Sequence, residues 1–388
     1  MKGLRIFLAA AAVAVPGGWQ AEAADTIKIG LAATLTGDWA PYSEVGGVRC
    51  MADKINAAGG VDGRMFEVMV EDSRSDPQLV LSIGQRFLDD GAIVVAGTPA
   101  SDGVIPLAQL AQPYGATVFC PQCTQVELHE NAPENIITAA VPDPFNAAAT
   151  AAVAYEMGGR NAVLLESDDA GTWTRNLPEW WGEVFEKKGG KIVGRLNHNF
   201  DTTDWSPQIT EMLAMSPRPD VVMISSILPD VGILIRQLRA AGSEAIVVGS
   251  DGFDDPTLVD VAGGAKNVER VIYATHGFAA EGSALKAFSD ECRAKGYEIN
   301  GAFFGLGGDV VVLIQQAVIA SNSVDPVKVR EAMRKAEGLK GITSDTFDFR
   351  HTLTYPMKLV PVIGFKDGQP YVITDKIPEQ VPYLKPKS

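Results

Sequence analysis

Four histidines and four cysteines hold most of the reactive chemistry open to this chain. His129, His198, His276 and His351 stand apart, with no HExxH and no pair at helical spacing to grip a metal. No GxSxG turn presents a serine nucleophile. No GxxxxGK[ST] loop is present to cradle phosphate. Gly305-Leu-Gly307-Gly308 lacks the strand-turn-helix setting and later acidic residue of a dinucleotide fingerprint, and suits a helix that approaches a neighbour closely. Asp251-Gly-Phe-Asp-Asp255 lacks the alternating ligand spacing of a calcium loop. Cys120-Pro-Gln-Cys123 has redox spacing, but a thioredoxin-like motif opens a helix directly after a strand, and no helix begins here. A structural bridge or free thiols fit it better. With Cys50 and Cys292 three full pairings exist, and the sequence does not choose among them. The expectation is a protein without catalytic residues, metal or cofactor.

Recognition chemistry lies elsewhere, in loops that follow apolar runs. These are Leu35 to Tyr42, Gly97 to Gly103, Pro121 to Thr124, Asp168 to Trp173, Ser225 to Ile227 and Gly249 to Gly252. In open α/β sheets, ligands sit beyond the carboxyl ends of strands. Ser101 precedes a helix, where free N–H groups and positive potential hold a carboxylate. Asp251 offers a carboxylate for an ammonium. One α-amino acid would satisfy both. Ser101 also reads as a plain helix cap, and Asp251 as a turn residue before Gly252.

The elements that must carry these loops alternate. The run Thr26 to Ala33 reads as a buried parallel strand. A helix follows over Val45 to Ala58, stopped by Gly59-Gly60. Strand Met65 to Val70 and a helix opened by Asp76-Pro77 come next. Strand Ile93 to Ala96, helix Val104 to Ala111 and strand Thr117 to Phe119 complete the series. After Pro142 the alternation restarts. Helices are read at 146–157, 177–188, 206–215 and 230–241, and strands at 162–166, 191–195, 220–224 and 246–248. Two successive βαβα series predict two doubly wound parallel sheets. The tail departs from the pattern. It holds strand 271–275, helices 285–294, 305–320 and 327–336, and a hairpin around Lys366-Asp367-Gly368.

Lys2 and Arg5, the apolar run Ile6 to Val15 and Ala21-Glu22-Ala23 read as a cleaved secretory leader at 1–24, too short to span a bilayer. No later stretch is read as long and apolar enough to cross a membrane. The formal charge is −15, and loss of Lys2, Arg5 and Glu22 makes it −16. Such acidity excludes a nucleic-acid partner, whose phosphates need a basic face.

Leu35-Thr36-Gly37, Ile55 to Val61, Gly63 to Asp72, Gly97 with Ser101, Pro121 with Thr124, Asp204-Trp205-Ser206, Ile235-Arg236-Gln237 and Ala240-Ala241-Gly242 occur in an informative order. In that order the chain resembles the leucine/isoleucine/valine-type periplasmic binding proteins, the type I solute receptors of ABC importers. The similarity runs over nearly all of the chain after the leader. It implies an α/β fold of two doubly wound parallel-sheet lobes joined by a three-strand hinge. Lobe 1 would be 25–143 plus 275–355, and lobe 2 would be 144–274 plus 356–388. It implies a monomeric periplasmic receptor that binds a small, branched-chain-like amino acid and delivers it to a permease. The implied ligand-binding residues are Tyr42, Ser101, Gln122, Thr124, Trp173, Ile227 and Asp251. Ser101 would take the solute carboxylate, Thr124 the carboxylate or ammonium, Gln122 a backbone contact and Asp251 the ammonium. Tyr42 and Trp173 would line the two walls. Ile227 stands where these receptors commonly have an aromatic, and Trp173 where they have a tyrosine. The cysteines do not fall at the family's usual disulfide positions. These departures leave room for an aromatic or aliphatic carboxylate or an amide as solute. A periplasmic sensor input would need the same features.

Overall fold

A computed structural model describes residues 26–97, 99–130 and 133–382. The leader read at 1–24 lies outside these residues. The chain opens with β1 (Ile27–Ala33), α1 (Val45–Ala57), β2 (Phe66–Asp72), α2 (Pro77–Asp89), β3 (Val94–Ala96), α3 (Ser101–Ala111), β4 (Thr117–Cys120), α4 (Glu127–Glu130) and β5 (Ile136–Thr138). Its five strands form one parallel sheet in the order β2-β1-β3-β4-β5. The second series is α5 (Asp143–Glu156), β6 (Asn161–Glu166), α6 (Thr172–Lys187), β7 (Lys191–Asn197), α7 (Ser206–Ala214), β8 (Val221–Ile224), α8 (Asp230–Ala240) and β9 (Ile246–Gly249). Two single-turn helices, α9 (Leu258–Val261) and α10 (Ala265–Val268), lead to β10 (Val271–Ala274). The tail holds α11 (Ala284–Ala294), α12 (Ala302–Ser321), α13 (Pro326–Lys335) and the hairpin β11 (Val360–Lys366) and β12 (Gln369–Lys376). The second sheet runs β12-β11-β10-β9-β8-β6-β7, parallel except for the antiparallel hairpin at its edge.

The chain passes between the sheets three times. It leaves β5 for α5, leaves β10 for helices that pack on α1 and β4, and returns to β11. Thr138 N–H donates to Thr354 O at 2.7 Å, and Thr275 N–H to Pro361 O at 3.0 Å, so the passing segments are tied to one another.

α12 differs from its sequence reading. It starts at Ala302 rather than Gly305 and is 20 residues long, apolar enough by length and composition to cross a membrane. Most of it is buried among α1, α11 and α13, so its apolarity serves the core of the first lobe. Its glycines set the distance to α1. A Cβ on Gly307 would lie 2.1 Å from Glu44 O, and one on Gly47 1.8 Å from Phe304 O. A disulfide between Cys50 of α1 and Cys292 of α11 closes the same helix layer.

α6 also starts earlier than read, at Thr172, with Pro178 inside it. The proline lacks the N–H that Thr174 O would accept; Ser167 N–H donates to that oxygen instead, at 3.3 Å. β5 and the short helices α4, α9 and α10 were not read from the sequence.

Candidate functional site

Strand order reverses between β1 and β3 in the first sheet, and between β6 and β8 in the second. At such switch points neighbouring loops diverge and leave a crevice at the carboxyl ends of the strands. Here both crevices face each other across one cavity of about 30 Å³. Loops after β1, β3 and β4 supply Trp39, Tyr42, Pro99, Gln122, Thr124 and Gln125. Loops after β6, β8 and β9 supply Trp173, Ile227, Asp251 and Gly252, and α12 adds Phe303. Six of the seven expected residues thus line one space. Ser101 does not line it.

Ser101 is the first residue of α3 and makes no side-chain cap. Its Oγ donates to Glu127 Oε1 at 2.8 Å. Thr172 Oγ1, at the start of α6, donates to the other oxygen of the same carboxylate at 2.7 Å. Glu127 therefore bridges helix starts that belong to different sheets.

Asp251 is buried and already bonded on both oxygens. Trp173 Nε1 donates to Oδ1 at 3.0 Å, and His276 Nε2 donates to Oδ2 at 3.0 Å. A carboxylate has about four acceptor positions, so capacity for a solute remains. Asp251 also opens a tight turn, with Asp254 N–H donating to its carbonyl at 2.9 Å. The turn reading of Asp251 thus holds, and its carboxylate still lines the cavity.

Tyr42 spans the cavity. Its hydroxyl donates to Gly252 O at 2.9 Å and accepts from Leu228 N–H at 3.0 Å, both on the second-sheet side. Burial pushes the phenol well above its ordinary range, so it stays a neutral donor. Its ring packs edge-on to Phe303 at 5.2 Å, and Trp39 meets Trp173 at 6.0 Å. The walls are thus largely aromatic.

Beside the neutral Gln122, Thr124 and Gln125 the lining carries the Asp251 carboxylate, and among the described residues no lysine or arginine lines it. Asp143 is fully buried, and desolvation raises its carboxyl well above the ordinary range. Its neighbour Thr124 opposes that shift, while the charges of Asp251 and Glu127 add to it. Glu44 is raised in the same way by burial, and its carboxylate accepts from Gln122 Nε2 at 2.9 Å. Asp254 is pushed up to about 6, chiefly by burial.

Cys120 and Cys123 form a second disulfide, at the base of the loop that presents Gln122 and Thr124. With Cys50–Cys292 this resolves the pairing the sequence left open. Among the described residues no group of three or more His, Cys, Asp or Glu is arranged to hold a metal.

Pro99 and Gly252 lie in loops the sequence reading named without being singled out, and Gln125, Glu127 and Phe303 were missed by it. Gln125 and Glu127 directly follow Thr124, so extending the loop after β4 by three residues would have found them. Phe303 comes from a helix rather than a strand end, and no strand-end rule reaches it.

Residues 26–369 match the family described as periplasmic binding protein. The chain is 25% identical over 315 residues to a leucine-, isoleucine-, valine-, threonine- and alanine-binding protein of Pseudomonas aeruginosa, covering 80% of this chain and 83% of that one. Its fold is similar to that of a leucine-binding protein LivK of Thermotoga maritima. That comparison has TM-score 0.78 and 22% identity over 92% of this chain and 99% of that one. It is equally similar to LivJ of Streptococcus pneumoniae, solved in complex with isoleucine. There the TM-score is 0.78 and the identity 23%, over 91% and 99% of the two chains.

Proposed function

The chain belongs to the periplasmic binding protein family, and on that premise we propose that it is the solute receptor of an ABC importer. Its solute is a small, branched-chain-like amino acid, as the names of its relatives suggest. It is a monomer exported to the periplasm, it hands the solute to a permease, and it performs no chemistry on it. The lobes are 25–143 plus 275–355 and 144–274 plus 356–388. The observation that carries this reading is the cavity where strand-end loops from both sheets bring aromatic walls, amide groups and Asp251 together.

The mechanism is hinge closure. Solute enters between separated lobes and first meets one wall. Contacts from the other wall then favour the closed form, which the permease recognises. Tyr42 takes part directly, since its hydroxyl bonds the opposite side when the lobes meet. Asp251 draws the solute ammonium, with Trp173 and His276 holding its carboxylate in place. An aliphatic side chain rests against the aromatic walls.

Titration calorimetry with leucine, isoleucine and valine tests the reading. Saturable one-to-one binding is expected, weakened about tenfold or more in Asp251→Asn, in line with about 1.5–3 kcal/mol for a charged hydrogen bond. Absence of binding by all three amino acids would remove the branched-chain reading.

A further inference from the structure

Two buried hydrogen-bond acceptors at the cavity are satisfied by nothing in the protein. Gln125 gives its Nε2 to Pro99 O at 3.1 Å, an acceptor only, which fixes the amide's orientation. Gln122 gives its Nε2 to the Glu44 carboxylate. Both side chains are 4% exposed, and both line the cavity. Their Oε1 atoms are buried and have no partner. Buried acceptors left open in this way call for donors. Two donors on the lining are committed, Trp173 Nε1 to Asp251 and the Tyr42 hydroxyl to Gly252 O, while each glutamine amide keeps a second N–H. The open acceptors together with the Asp251 carboxylate favour a group rich in donors. Asp251 and Glu127 favour one with positive charge, and the aromatic walls favour the same.

The place expected for a solute carboxylate is already filled. The Ser101 hydroxyl holds Glu127, as does Thr172 from the opposite side. A carboxylate arriving at Ser101 must displace a carboxylate of the protein and remain beside it.

We infer that Gln122, Gln125 and Asp251 form an ammonium subsite, that Glu127 stands in for a solute carboxylate, and that primary alkylamines bind at least as tightly as the amino acids sharing their side chain. This rests on the receptor reading above and narrows which end of the solute is recognised. An ammonium supplies three donors and no acceptor. The cavity of about 30 Å³, partly open to solvent, has room for a head group of a few atoms, while the alkyl chain extends along the aromatic walls.

The test is calorimetric titration of the mature protein, refolded free of solute, with four matched compounds. They are leucine, isoamylamine (the same skeleton without carboxylate), isocaproate (without amine) and isocaproamide (a neutral donor). The expected order is isoamylamine at or below the dissociation constant of leucine, with isocaproate the weakest. Leucine binding about tenfold tighter than isoamylamine would overturn the inference and leave the amino-acid receptor standing. Tighter binding of the amide than the amine would overturn it too. Binding of the amine alone would uphold it and replace the amino acid as solute. Failure of all four would overturn both. Two variants separate the parts. Gln125→Met should weaken isoamylamine about tenfold with the fold intact by circular dichroism. Glu127→Gln should move the ratio of the two affinities about fivefold or more towards leucine. Unchanged affinities in both variants would overturn the assignment of the subsite.

Discussion

Replacing Tyr42 by Phe isolates the closure step. The ring stays in place against Phe303, so the apolar packing of the first wall is kept. What is lost is one oxygen and its two hydrogen bonds to the facing wall, at 2.9 and 3.0 Å. In the closed form, Gly252 O and Leu228 N–H are then buried without a partner. In the open form water reaches both. An unsatisfied buried polar group costs about 1–3 kcal/mol, so two of them disfavour closure by about 2–4 kcal/mol towards the lower part of that range. That corresponds to a fall of about 30- to 1000-fold in the ratio of closed to open molecules. A solute that binds the closed form loses affinity by up to the same factor. Calorimetry gives the affinity, and small-angle scattering of the solute-free protein gives the shape. The expected outcome is a raised dissociation constant and a larger radius of gyration, with little change in unfolding temperature. A dissociation constant and radius equal to those of the parent protein would refute the latch.

Four further outcomes follow from the same geometry. Asp254 is raised from its ordinary 3.8 to about 6 by burial, so between those values the folded chain holds a proton that the unfolded chain has lost. Stability should therefore fall as pH rises through about 4 to 6, by on the order of 3 kcal/mol, and Asp254→Asn should flatten that slope in denaturant titrations. Gly307→Val places a Cβ 2.1 Å from Glu44 O and forces α1 and α12 apart; soluble yield should collapse, whereas Gly296→Ala, with open space around it but φ +90°, should cost only its backbone strain, about 1–3 kcal/mol. Cys50 and Cys292 are 242 residues apart, so the double serine variant should lose about 2–5 kcal/mol by urea unfolding. Lys358 is fully buried beside Asp309, its Nζ donating to Thr343 Oγ1 at 2.9 Å, and burial lowers it to about 8. Lys358→Met should destabilise the chain by about 3–5 kcal/mol by leaving the buried Asp309 carboxyl without its cation.

Most of the architecture was legible because its signals are local. Ile27 to Ala33 is apolar apart from Lys28, as suits a strand buried on both faces. Asp76 caps α2 through its side chain with Pro77 behind it. The errors fall where a distant partner replaces a local rule. α6 runs through Pro178 because Ser167 N–H satisfies the carbonyl that the proline leaves open. β5 has three residues, too few to show a period, and is held by β4. At the site, the strand-end rule picked out the loops, and the resemblance named Tyr42, Gln122, Thr124, Trp173, Ile227 and Asp251 within them, all of which line one cavity. It could not reveal that Ser101 is engaged by Glu127 26 residues later, or that His276 reaches Asp251. Those pairings depend on how the loops of separate strands converge. Cysteine spacing was silent for the same reason, since Cys50 and Cys292 meet only once α11 packs beside α1.

The central claim is that two lobes close around a small solute bearing an ammonium. Thermal unfolding of the solute-free protein against amino acids, alkylamines, carboxylates and amides tests it most directly. A ligand at ~100 times its dissociation constant stabilises the folded form by about 2.7 kcal/mol, which in a chain of this size raises the unfolding temperature by roughly 3–4 °C. The account predicts such a shift for at least one ammonium-bearing compound, and its loss in Asp251→Asn. A shift only with amine-free carboxylates, or an equal shift in the variant, would contradict it.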